Sequence, residues 1–366
     1  MRLIRHILLL LTLSTAVAAI PGMALASDIY TVRNVPVDVS AGSALEARNV
    51  AQLNGQRAAL ATLLRRLTPP EDWAQLPQPD DISVQRAVRG FQVASEKAST
   101  TRYIAKLHVS FHPDAIRRLL RGRGIAYAET QAKPAVLLAV YDSPGQGRLL
   151  WEDANVWRKA FASVDLTNNL APVTLPLGDA QDIEVSASQA LSGDAPSLMS
   201  LARRYGAEGV AVAYATQSGN NVSVKITQIG SSGGTQTLTA SGSGADARSA
   251  LEAAAADTIA KLDAQWKQAI IVRGGAAGQI FVSASFATLA EWEQLRTRLA
   301  SSPLVQDMQV RGISASGADI RVSYRGSPDK LALVLAQQNV ELTQRGGGWW
   351  LRLPQAPPQP VPMLQP

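Results

Sequence analysis

The stretch Arg102-Tyr103-Ile104-Ala105-Lys106-Leu107-His108-Val109-Ser110-Phe111-His112 alternates with a period of two. Tyr103, Ala105, Leu107, Val109 and Phe111 point one way, while Arg102, Lys106, His108, Ser110 and His112 point the other, the pattern of a half-buried antiparallel strand with one wet face. Gly90 to Lys97 reads as its partner. Upstream, Val32, Val35, Val37 and Val39 mark another strand, which Pro36 confines to an edge or a bulge. Between them, Leu45, Leu53, Leu60, Leu63, Leu64 and Leu67 recur at helical spacing among Glu46, Arg48, Gln52, Arg57, Arg65 and Arg66, and Pro69-Pro70 ends the helix. Downstream, Pro113-Asp114 opens a short helix, Ala115 to Arg121, broken by Gly122 and Gly124. Residues 27–130 therefore read as an α+β unit.

A second, α/β unit spans 134–272. It begins with the apolar strand Ala135 to Tyr141 and a Ser143-Pro144-Gly145 turn, followed by a helix carrying Trp151, Val156, Trp157 and Phe161. A strand from Val173 to Leu177, a helix from Ala195 to Tyr205 and a strand from Gly209 to Ala215 follow. Val222 to Ile229 pairs with Gln236 to Ser241 across Ser231 to Gly234, and an Ala-rich helix from Ala245 to Gln268 completes two or three layers. The third unit, 278–353, runs in the order βαββαβ, that of a ferredoxin-like fold, which needs no cofactor to form. Residues 354–366 are a Pro-rich, extended tail.

The first 26 residues give an address. Arg2 and Arg5 precede an uncharged run from Ile7 to Ile20, shorter than the roughly 20 residues that span a bilayer, and Ala24-Leu25-Ala26 supplies small residues at −3 and −1. A secretory signal cut after Ala26 is expected. The arginines are not adjacent, so the twin-arginine route is not indicated, and with no cysteine in the chain there is no lipid anchor. The expectation is a periplasmic protein that is not a lipoprotein and has no transmembrane segment after cleavage. Loss of Arg2 and Arg5 lowers the net charge from +6 to +4. After export, the polyanions within reach are lipid headgroups and wall polymers, so nucleic acid is not an expected partner.

Several stretches of the first unit carry a family likeness. Ala47-Arg48-Asn49-Val50-Ala51, Arg57-Ala58-Ala59-Leu60, Leu64-Arg65-Arg66-Leu67-Thr68, the Tyr103 to Phe111 strand and Pro113 to Ile125 resemble a proteobacterial family of exported proteins known as the domain of unknown function DUF2066. The likeness extends more loosely over Arg204-Tyr205-Gly206-Ala207 and the unit containing Trp292. This chain has Pro69 where that family usually has glycine. The resemblance implies a Gram-negative envelope setting and supplies no activity, cofactor or functional residue.

Chemistry-bearing candidates are few. Without cysteine there is no thiol nucleophile or thiolate metal site. His108 and His112 share a strand face about 13 Å apart, too far to hold one ion, so neither metal nor cofactor is expected. Gly145-Gln146-Gly147 and Gly242-Ser243-Gly244 match no complete phosphate-binding or dinucleotide motif and read as turns. Asp142, Glu152 and Asp153 follow an apolar strand and leave a carboxylate-dependent hydrolase of an envelope polymer as the alternative reading. The strongest positive feature is basic: Arg117, Arg118, Arg121 and Arg123, with Arg102 and Lys106 on the neighbouring wet strand, form a candidate partner surface. Trp350 beside Arg352 is a second candidate anchor, and packing under the Pro-rich tail is its structural alternative. Together these features lead to a non-catalytic envelope scaffold or binding module, its partner an envelope protein or an anionic wall or lipid component.

Overall fold

A computed structural model describes residues 29–166, 168–230, 234–274 and 277–354. The expected signal peptide, most of the Ser231 to Gly234 turn and, beyond Pro354, the Pro-rich tail lie outside them. The fold is mixed α/β with three separate sheets.

In the first sheet, strands β1 (Thr31–Ser40), β2 (Val88–Ala98) and β3 (Arg102–Phe111) take the order β1-β3-β2, all antiparallel. As Pro36 requires, β1 is an edge strand, and its register slips between Val32 and Val35, where Asn34 is left-handed (φ 57°). Helices α1 (Ala44–Leu67), α2 (Asp81–Ala87) and α3 (Pro113–Arg121) bury Leu60, Leu63, Leu64, Val84, Ile116 and Leu120 against Leu107, Val109 and Phe111. All three helices thus cover one face of the sheet.

The second sheet takes the order β5-β4-β7-β8-β9, with β6 beside β4. Its strands are β4 (Ala135–Ser143), β5 (Gly147–Leu149), β6 (Val173–Thr174), β7 (Gly209–Ser218), β8 (Asn221–Gly230) and β9 (Thr235–Ser243). Helices α4 (Val156–Ala160) and α7 (Ala247–Ile270) cover one face; α5 (Ala187–Ser192) and α6 (Ala195–Arg204) cover the other. Three layers result, and β4, covered on both sides, is buried almost without interruption, as its apolar run demands. Gly242 brings β9 against α7: a Cβ there would lie 2.2 Å from the Ala254 nitrogen and 2.3 Å from the Ala250 oxygen. The glycine serves close packing.

Two local expectations are corrected. The strand expected from Val173 to Leu177 keeps only two residues, because Pro176 has no N–H for a ladder and the chain turns at left-handed Gly178 (φ 80°). Trp151 precedes the helix instead of lying on it, and its indole N–H donates to the Val185 carbonyl at 2.7 Å.

The third sheet contains β10 (Ala277–Ser285), β11 (Val305–Ile313), β12 (Gly317–Arg325), β13 (Glu341–Arg345) and β14 (Gly348–Arg352) in the order β11-β12-β10-β14-β13. Helices α8 (Leu289–Ser301) and α9 (Pro328–Gln337) pack on one face through Trp292, Leu295, Leu299, Leu331, Val334 and Leu335. The βαββαβ order is present, with an added strand. Left-handed Gly346 and Gly347 turn the chain back, so β14 slips between β10 and β13 and runs parallel to β10. The core under this sheet also takes in Ala128, Leu170, Ile270 and Ile271 from other parts of the chain.

Candidate functional site

The basic cluster does not assemble as one surface. Arg117, Arg118, Arg121 and Arg123 belong to α3 and the loop after it, on the helical side of the first sheet. Arg102 and Lys106 alternate with buried Tyr103, Ala105 and Leu107 and therefore face away from the helices. A sheet separates the two halves, because the strand residues that face α3 are the apolar ones.

Pairing divides the cluster further. Arg102 forms a bidentate pair with Asp38 on β1, at 2.8 and 2.6 Å. Arg117 is held by Glu129 at 2.6 Å and by Asp114 at 3.0 Å, and the Tyr30 hydroxyl donates to the same Glu129. Arg121 donates to the Tyr127 hydroxyl at 2.9 Å. Lys106, Arg118 and Arg123 are exposed and make no ion pair among the described residues.

The remaining candidates are locally engaged. His108 Nδ1 accepts the Asn34 N–H at 3.1 Å across the β1 bulge, and His112 is the N-cap residue of α3. Asp142 accepts from the Tyr214 hydroxyl at 2.9 Å, and Glu152 accepts from the Leu150 N–H at 2.7 Å. Asp153 is exposed. Trp350 is 46% exposed on β14, whereas Trp349, one residue earlier, packs on the core. Phe281, 60% exposed, stands on the same open face, with the Arg311 guanidinium 5.4 Å from its ring centroid. Phe281 is not among the anchors expected from the sequence; the alternation of buried Ile280, Val282 and Ala284 is the signal that turns it outward.

The most constrained polar groups lie where the units meet, and none of them stands out in the sequence. Lys267 on α7 is 2% exposed; its ammonium lies 2.6 Å from Asp263 and donates to the Arg65 carbonyl, in the last turn of α1, at 2.9 Å. Burial lowers its pKa, opposed by the Asp263 carboxylate. The other oxygen of Asp263 accepts the N–H groups of Leu170 and Ala171 at 2.7 and 3.2 Å. Arg66, 6% exposed, donates to the carbonyls of Ile29, Thr31 and Asn168 at 2.8, 2.9 and 3.0 Å, while the Asn168 side-chain amide pairs with both backbone groups of Arg33. Trp266 donates to the Thr130 carbonyl at 2.8 Å, and Lys330 on α9 donates to that of Ile271. The end of α7 thus touches all three sheet-bearing parts of the chain.

This arrangement defines a three-sheet mixed α/β protein joined by buried charge-assisted hydrogen bonds. Residues 27–143, from ahead of β1 through β4, match the model of a domain of unknown function, DUF8605, so this segment is similar to an uncharacterised family. No curated protein and no solved structure matches the chain. Among the described residues, no helix is long and apolar enough to cross a membrane.

Proposed function

We propose that the chain is a non-catalytic, exported protein of the cell envelope, a scaffold or binding module for an envelope protein or an anionic wall or lipid component. The buried polar groups carry this reading: Arg66, Asp263 and Lys267 are each bonded to backbone from a distant part of the chain. Such bonds fix surfaces relative to one another, which is what a scaffold requires. Asp142 and Glu152 are likewise engaged with Tyr214 and the Leu150 backbone. Export, cleavage after Ala26 and a periplasmic address rest on the first 26 residues, and the Gram-negative setting rests on the DUF2066 resemblance. The binding element is α3 with its following loop, where Arg118 and Arg123 remain exposed and without an ion-pair partner among the described residues.

The test uses the chain from Ser27 with two probes: vesicles containing phosphatidylglycerol and isolated murein sacculi. Co-sedimentation with one of them, weakening as salt is raised and about tenfold weaker in Arg118→Glu/Arg123→Glu, is the expected result. Failure to sediment with either at low salt overturns the anionic-surface reading.

A further inference from the structure

Helices α2 and α3 leave a groove of about 340 Å³ between them, lined by Ile82, Arg86, Ala87, Ala115, Arg118 and Leu119. Helical spacing explains the lining. Ile82 and Arg86 stand one turn apart on α2, and Ala115, Arg118 and Leu119 share one face of α3. The His112 N–H, at the start of α3, donates to the Ala87 carbonyl, at the end of α2, at 2.8 Å, and a capping box of Asp80 and Ser83 pins the other end of α2. The groove is therefore preformed.

Both its apolar and its charged parts are unmet. Ile82 is 59% exposed, and Arg86 and Arg118 are exposed and make no ion pair among the described residues. The neighbouring carboxylates are already committed: Asp81 accepts from Arg57 at 2.9 Å, Asp114 pairs with Arg117 at 3.0 Å, and Asp80 accepts the Ser83 N–H at 2.7 Å. Two guanidinium groups with spare donors thus border an apolar floor. That combination selects a ligand. Arginine donors suit a phosphate, and hydrocarbon attached to that phosphate would cover Ile82, Leu119 and the alanines between the helices. A wall polymer or a soluble phosphate would answer the charges but leave Ile82 in water. An anionic phospholipid supplies both parts in one molecule.

We infer that the groove between α2 and α3 binds an anionic phospholipid, its headgroup phosphate between Arg86 and Arg118 and the start of its acyl chains against Ile82 and Leu119. This deepens, and rests on, the reading of α3 as the binding element, and it commits that surface to a membrane instead of the wall. The protein then sits on the bilayer through one groove and one side chain that leaves water.

The chain contains no cysteine, so in the chain from Ser27 Ile82→Cys carries a single environment-sensitive NBD label, and Leu177→Cys, 78% exposed on the second unit, carries the reference label. Vesicles containing phosphatidylglycerol are expected to brighten the label at position 82 about twofold or more and shift it to the blue, with the label at position 177 unchanged. Phosphatidylcholine vesicles, murein sacculi and glycerophosphoglycerol, the same headgroup without acyl chains, should leave both labels unchanged. In unlabelled protein, Ile82→Ser and Arg86→Gln should each weaken co-sedimentation with the phosphatidylglycerol vesicles about fivefold, and only Arg86→Gln should reduce the salt dependence. Salt-sensitive vesicle binding that neither substitution weakens, with the label at 82 still in water, overturns the groove and leaves the anionic-surface reading of α3 standing. Binding to sacculi alone has the same consequence. An equal response at 82 to glycerophosphoglycerol overturns the lipid and assigns the groove to a soluble phosphate. Equal shifts at positions 82 and 177 overturn the groove as the point of contact. Failure to sediment with either vesicles or sacculi overturns the anionic-surface reading itself, and the groove with it.

Discussion

The ammonium of Lys267 stands 2.9 Å from the backbone oxygen of Arg65, joining the end of α7 to the end of α1. This contact satisfies a carbonyl in the last helical turn with a cation, the sign that the helix dipole favours at a C-terminus. Lys267→Met leaves Asp263 without its counter-charge and the Arg65 carbonyl without its donor. The expected cost is about 3–5 kcal/mol in urea unfolding. Asp263→Asn combined with Lys267→Met should cost less than the sum of the single changes, because the two groups share one interaction. Strict additivity would show that they act independently.

Tyr30 sets an alkaline limit. Burial first, then the neighbouring Glu129 carboxylate, raises its phenol well above the ordinary value near 10. With the folded pKa raised, its stabilising contribution is complete below about pH 10 and is lost as pH climbs through the alkaline range, where the unfolded chain releases the proton and the folded chain keeps it. Tyr30→Phe should flatten the fall of the urea midpoint between pH 9 and 11. An unchanged slope would place the alkaline sensitivity elsewhere.

Gly242→Ala pushes a methyl group into the backbone of α7 at Ala250 and Ala254. Separation of β9 from the helix is expected to cost roughly 3 kcal/mol or more. Gly90→Ala, where a Cβ meets nothing within 4 Å, is the matched control and should leave the melting temperature within a few degrees. Equal shifts for the two would remove close packing as the cause.

Trp157 is fully buried, donates to the Ala213 carbonyl at 3.0 Å and meets Phe161 edge-on at 4.7 Å between ring centroids. Trp157→Phe keeps most of the apolar volume but removes the donor. A loss of about 2 kcal/mol is expected, with a weakened near-UV circular dichroism band. Wild-type stability would mean that the Ala213 carbonyl needs no donor.

The hydrolase alternative has a direct check. The chain should release no reducing ends from soluble wall fragments, and Asp142→Asn or Glu152→Gln should change nothing but local stability. Turnover that disappears in either variant while the fold persists would restore the carboxylate reading.

The sequence is most legible where burial is one-sided and local. Tyr103 to Phe111 announces its buried face through alternation, and β4 announces two covered faces through an unbroken apolar run. Pro36 correctly marks β1 as an edge strand. Lys267 gives no such sign: it sits in an Ala-rich helix among residues that read as solvated, and its acceptor is 202 residues away. Likewise, nothing local to Arg102 names Asp38 as its partner, and only the placement of α3 shows that a sheet divides the basic residues. Periodicity reports which way a side chain faces, not what waits there.

The distance in sequence between Lys267 and Arg65 has a kinetic consequence. A chain released from its N-terminus can build α1 and the first sheet early, but the α1 terminus keeps an unmet carbonyl until the last turns of α7 exist and dock. Closing a contact this non-local comes late in folding and is slow relative to local helix and hairpin formation. Until then, Leu170 and the segment around Ala128 lack their shared core. A chain stopped short of Ile270 would therefore expose a sticky seam and would be the species most in need of a chaperone.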